Sequence, residues 1–78
     1  MRQAKDTQEL ATWVGANTRR FRAKVGMTQE QLAKALKLSA NYLGLLERGQ
    51  RMPSFDTIFT LGQVLRVAPS DLFKPPAR

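Results

Sequence analysis

The sequence predicts an all-α fold: a compact five-helix unit. Three observations predict it. Apolar residues recur at spacings of three and four along successive segments. Residues suited to helix N-caps (Thr7, Thr28, Ser39 and Ser54) precede those segments, and Gly26 and Gly49 follow two of them. No sustained alternation of β-branched residues signals a strand. The 78 residues are one domain's worth of chain, and no repeat, low-complexity tract or linker divides them.

Taken in order, residues 1–6 (MRQAKD) are polar and read as a flexible N-terminal arm. Thr7 then caps a first helix, whose stripe runs Leu10, Trp13, Val14, Thr18, Phe21 and Val25 before Gly26 stops it. Thr28 opens a second helix, with Gln31 placed three residues on as the return partner of a capping box. Its inner face is Leu32, Ala33 and Leu36. Ser39 caps a third helix, with Leu43 and Leu46 inward and Gly49 at its end. After a loop, QRMP, Ser54 caps a fourth helix, where Asp56 suits the positive end and Phe55, Ile58, Phe59, Leu61 and Leu65 are apolar. Pro69 opens a last short turn, PSDLF. The domain therefore covers residues 7–73. Residues 74–78 (KPPAR) form a flexible tail, because Pro75 and Pro76 lack the N–H a helix needs.

Composition narrows the function. A net charge of +7 and a pI near 10.9 suit a polyanion, nucleic acid first and an acidic membrane surface second. With no cysteine and no histidine, the chain lacks disulfides, thiolate metal sites and the commonest general base. It has no Gly-rich phosphate loop, and its six carboxylates are scattered. An enzyme, a cofactor and a metal are therefore not expected. No apolar run reaches the roughly 18 residues of a membrane span, and none reads as a signal peptide, so a cytoplasmic protein is expected. Over residues 17–51, eight Lys/Arg face two acids, an excess of six positive charges.

Only Lys37 and Leu38 separate the second helix from Ser39. So short a link forces a sharp corner, with small Ala33 at the crossing and Leu38 as its plug. That pattern alone also fits an ordinary αα-corner. The ordered set Gln29, Leu32, Ala33, Leu36, Leu38, Ser39, Tyr42, Leu43, Leu46, Glu47, Gly49 goes further: it resembles the Cro/C1-type (XRE-like) helix-turn-helix family of phage and bacterial repressors. The flanks agree, in Val14-Gly15, Phe21-Arg22, Gly26-Met27-Thr28-Gln29, Pro53-Ser54-Phe55, Ile58, Leu61, Leu65-Arg66-Val67 and Leu72-Phe73.

The resemblance implies a lambda-repressor-like DNA-binding domain, with the helix-turn-helix at helices two and three and helix three in the major groove of double-stranded DNA. Carried over by position, Ser39, Ala40, Asn41, Gly44 and Leu45 face the bases. Asn41 has the chemistry to pair bidentately with adenine. Gln29, Tyr42, Arg48, Gln50, Arg51, Ser54 and Arg19 face phosphates. Arg22 and Glu47 match a structural salt bridge tying helix one to the end of helix three. Two features depart from the family pattern: long polar readers are nearly absent from helix three, and Lys37 stands where glycine is usual.

The implied function is a sequence-specific transcriptional regulator, a repressor acting as a homodimer, with Phe59, Leu65, Val67, Leu72 and Phe73 as candidate dimer surface; most of these read as core, and Phe59, off the family's usual apolar positions, is the one expected to be exposed. No small-molecule ligand is expected. The alternative is a protein-interaction module, antitoxin-like or adaptor, that keeps the fold with weak DNA specificity.

Overall fold

A computed structural model describes residues 2–76. Those residues form four α-helices and one 3-10 turn, without strands: α1 (Thr7–Lys24), α2 (Gln29–Leu36), α3 (Ala40–Glu47), α4 (Phe55–Leu65) and the turn Pro69–Phe73. The predicted fifth helix is thus a 3-10 turn. Pro69 starts it, Asp71 Oδ2 accepts from the Ala68 amide at 3.1 Å, and the chain leaves in extended form at Lys74 before the two prolines. The expected tail includes residues 77–78, and the expected arm includes residue 1; these lie outside the described residues.

Three of the four α-helices start where the sequence places them. Thr28 and Gln31 form the full capping box, at 2.8 and 3.0 Å. Ser39 accepts from the Tyr42 amide at 3.0 Å, and Ser54 from the Thr57 amide at 3.2 Å. The exception is α1, which Asp6 caps instead of Thr7, accepting from the Glu9 amide at 2.8 Å. A carboxylate is the stronger acceptor at the positive end of a helix, and Thr7 becomes the first helical residue. Glu9 in turn holds the N-terminal arm, accepting from the Lys5 amide and from Arg2, each at 2.9 Å, while the Arg2 guanidinium lies 5.2 Å from the centre of the Trp13 ring.

All four α-helices close with the same bond, an amide reaching back five residues: Met27 to Arg22, Leu38 to Ala33, Gln50 to Leu45 and Val67 to Gly62. That closure needs a left-handed residue just before the donor. Gly26 and Gly49 supply it after α1 and α3, but Lys37 and Arg66, both at φ 59°, supply it after α2 and α4.

The core is Val14, Leu32, Ala33, Leu43, Leu46, Ile58, Leu61, Leu65 and Leu72. α1 packs on α3 and on the 3-10 turn, and α2 bridges α3 and α4. Gly15 sets the α1–α3 distance: a Cβ there would collide with the Leu46 carbonyl oxygen and come within 2.7 Å of that of Glu47. Inside α1, buried Asn17 donates to the Leu72 and Lys74 carbonyls at 2.9 and 2.8 Å, clamping the C-terminal turn. The apolar stripes run past the core at three residues, 60%-exposed Phe59 of α4 among them. Val25, at the end of α1, is exposed, and Phe55, the first residue of α4, is 90% exposed because it points away from the bundle.

Candidate nucleic-acid interface

The corner between α2 and α3 presents the start of α3 outward. Ser39 and Asn41 are exposed, Leu45 is half-buried, and Leu43 and Leu46 on the opposite side are buried in the core. Ala40 and Tyr42 are half-buried and pack partly against the core. The corner itself is braced by Leu38, whose amide donates to Ala33 O at 2.9 Å.

Beside α3 lies an open polar cleft lined by Arg19, Arg22, Gln29, Gly44, Glu47 and Arg48. Three of the phosphate candidates, Arg19, Gln29 and Arg48, therefore come together from α1, α2 and the C-cap of α3. Two others, Gln50 and Arg51, line a neighbouring hollow with Thr7, Gln8 and Ala11. Ser54 sits further off, at the α4 N-terminus, beside Phe55.

Gly44 departs from its expected place among the base-facing residues. It is buried, and a Cβ on it would stand 3.2 Å from Arg48 Nη1 and 3.8 Å from the Gln29 amide group. Its surface is covered by those two side chains, so what it provides is room for them.

The one carboxylate of α3, Glu47, is buried at the back of the cleft. Arg22 grips it from α1, Nε to Oε2 at 2.7 Å and Nη2 to Oε1 at 3.1 Å, and a third guanidinium nitrogen donates to Met27 O at 3.0 Å. The side chains are 15% and 4% exposed. The hydrogen bond to Glu47 raises the Arg22 pKa above its ordinary value; burial opposes it and the carboxylate charge adds to it. Removing one partner of such a pair costs about 3–5 kcal/mol, because the other is left buried and uncompensated. Glu47 also accepts from the Gln29 side chain at 3.0 Å. With its charge matched by Arg22, Glu47 leaves the cleft positive, with Arg19 and Arg48 exposed at its rim.

Sequence reasoning missed the Gln29–Glu47 bond, the Asn17 clamp and the left-handed Arg66. Each joins or shapes residues in a way that periodicity does not encode. A polar residue inside the apolar stripe of α1 was the only available signal for Asn17.

No group of three or more His, Cys, Asp or Glu side chains among the described residues could hold a metal ion, and no helix is long and apolar enough to cross a membrane. A cationic cleft flanking an outward α3, set by a tight two-helix corner, defines a helix-turn-helix DNA-binding transcriptional regulator. A helix-turn-helix family profile matches residues 19–72, and the chain belongs to that family, in its Cro/C1 (XRE) type. It is 42% identical over 67 residues to the uncharacterized HTH-type transcriptional regulator YazB of Bacillus subtilis, covering 86% of this chain and 96% of the relative. Control protein C.BamHI of Bacillus amyloliquefaciens is 36% identical, with 85% and 83% of the two chains aligned. Among solved structures, the restriction-modification controller protein C.AhdI of Aeromonas hydrophila superposes with a TM-score of 0.74 at 36% identity, covering 81% of this chain and 96% of its own.

Proposed function

We propose that the protein is a cytoplasmic, sequence-specific repressor that binds double-stranded DNA as a homodimer and carries out no catalysis. The observation that carries this reading is the exposed Ser39 and Asn41 at the start of α3, next to a cleft whose only carboxylate is buried and paired. In this reading Asn41 pairs with an adenine edge, Ser39 stands at the groove entry, and Ala40 and Leu45 offer apolar contact to thymine methyl groups. Arg19, Gln29 and Arg48 hold one stretch of backbone. Gln50 and Arg51 hold a neighbouring stretch, and Tyr42 and Ser54 add hydroxyl contacts. Backbone contacts outnumber long polar readers, so DNA shape contributes much of the specificity.

Phe55 and Phe59, one helical turn apart on α4, are 90% and 60% exposed, and Phe55 lines an apolar hollow with Leu10, Met52, Pro53, Ile58 and Phe73. This face is our assignment for the dimer contact. Of the other candidates, Leu65 and Leu72, at 2% and 0% exposure, are core, and Val67 and Phe73 are half-buried. Two copies of a body 32 × 23 × 21 Å can set their α3 helices about one DNA turn, ~34 Å, apart.

Selection of bound sequences from a random DNA pool tests the proposal. The expected outcome is a two-fold symmetric consensus, with log K falling against log salt by about 0.9 per phosphate neutralised. Failure to bind any duplex at low salt overturns it. In that event the exposed Phe55–Phe59 face, with so few polar readers on α3, favours the protein-interaction reading.

A further inference from the structure

We propose that Glu47 is a positioning residue for DNA binding: its carboxylate fixes the Gln29 side-chain amide so that the amide's outer hydrogen meets a backbone phosphate. This rests on the DNA-binding reading above and adds a role for Glu47 that the Arg22 pair does not contain. Glu47 Oε1 accepts twice, from Arg22 at 3.1 Å and from Gln29 Nε2 at 3.0 Å. An ionised carboxylate can only accept, so the nitrogen of the Gln29 amide, not its oxygen, must face it. One amide hydrogen is thereby used. The other has no acceptor among the described residues, on a side chain that lines the cleft with Arg19 and Arg48.

Gln29 is the first residue of α2, where the helix end is already positive and its first amides lack helical partners. An unrestrained glutamine there would sample several rotamers and lose that freedom on binding. Held by a carboxylate that is itself locked by Arg22, the amide is set before DNA arrives, and its ordering cost is met in folding. Gly44 completes the device. With no side chain, it leaves the space into which Gln29 and Arg48 both fit, the nearest atoms standing 3.8 and 3.2 Å from where its Cβ would be. The chain Arg22–Glu47–Gln29 thus links the core of the bundle to the DNA backbone through three side chains from three helices.

A double-mutant cycle on affinity tests this, using the full chain and the duplex recovered from the random pool, at a temperature where Trp13 fluorescence reports native protein. Gln29→Ala is expected to weaken binding about tenfold, the loss of one hydrogen bond to a charged group. Glu47→Gln is expected to weaken it by a similar factor in the native background, but by less than about twofold when Gln29 is already alanine. A purely structural Glu47 would give the same loss in both backgrounds, and that result overturns the proposal. Should Glu47→Gln fail to fold, side-chain amide relaxation of Gln29 in the unmodified, DNA-free protein decides. An order parameter near that of rigid backbone, about 0.85, supports positioning, and one below about 0.6 overturns it. An unmodified protein that binds no duplex removes the underlying reading. One that binds, with independent effects of Gln29 and Glu47, removes the positioning role alone.

Discussion

In the proposed DNA complex, direct base reading rests on Asn41. It is exposed on the first turn of α3, and its neighbours on that face are short or apolar. Asn41→Ala is expected to reduce discrimination at one base pair by about 1–3 kcal/mol while leaving binding to unrelated duplexes nearly unchanged; competition binding against single-base operator variants measures both. Lys37 and Arg66 show the opposite kind of residue effect, on stability alone. Each sits at φ 59° in a position that glycine fills after α1 and α3. Left-handed backbone costs a side-chain-bearing residue roughly 1–2 kcal/mol, part of which glycine returns as extra freedom in the unfolded chain. Lys37→Gly and Arg66→Gly are each expected to stabilise the fold by about 1 kcal/mol, read as a higher melting temperature. Lys37 lay open to inspection as a non-glycine at the family's corner. Arg66 did not, because the end of α4 carries no glycine signal to mark it.

Among the elements, the contact of α1 with α3 does most to place the cleft, since it brings Arg22 to Glu47. Gly15→Ala puts a methyl group against the carbonyls of Leu46 and Glu47, where backbone cannot yield cheaply. The two helices must part, at a cost of about 1–3 kcal/mol. Lower stability and weaker DNA binding are expected together, in chemical denaturation and in titration. The 3-10 turn responds to pH instead. Lys74, at 2.8 Å, and the Ala68 amide hold Asp71 below its ordinary pKa, Lys74 having the larger effect. A carboxyl group with a lowered folded-state pKa contributes stability above its unfolded value, about 3.9, and loses it as pH falls through the folded value. The difference in melting temperature between the native protein and Asp71→Asn should therefore be constant near neutrality, shrink below about pH 4, and vanish in stronger acid.

For the molecule as a whole, size makes partnership important. A single small reading head holds little DNA, and two joined heads gain affinity from effective concentration without new contacts. Phe55→Glu combined with Phe59→Glu is expected to leave the fold intact, because both rings are largely in solvent, and to shift sedimentation from the proposed dimer to monomer. Operator affinity should fall by about 10²-fold or more, while the salt slope per monomer stays the same. A double variant that sediments as the native protein does, with unchanged affinity, assigns the dimer contact elsewhere.

The caps of α2, α3 and α4 and the inward Leu32, Leu43 and Leu46 were present in the order of residues, because spacing and capping chemistry are local: Thr28, Ser39 and Ser54 each bond an amide three residues away. The corner at Lys37 was legible for the same reason. Local signals misled where two candidates stood side by side, as with Asp6 and Thr7, and where apolar residues extended beyond the core, as with Phe55. Which side chains meet across the bundle was settled by packing. Gln29 and Glu47 are 18 positions apart, and Asn17 reaches a carbonyl 55 positions away. Gly44, read on its own helix, faces outward; the Arg48 side chain and the arrival of Gln29 from α2 together cover it. Periodicity carries no information about such encounters, since they depend on the angles at which separate helices cross.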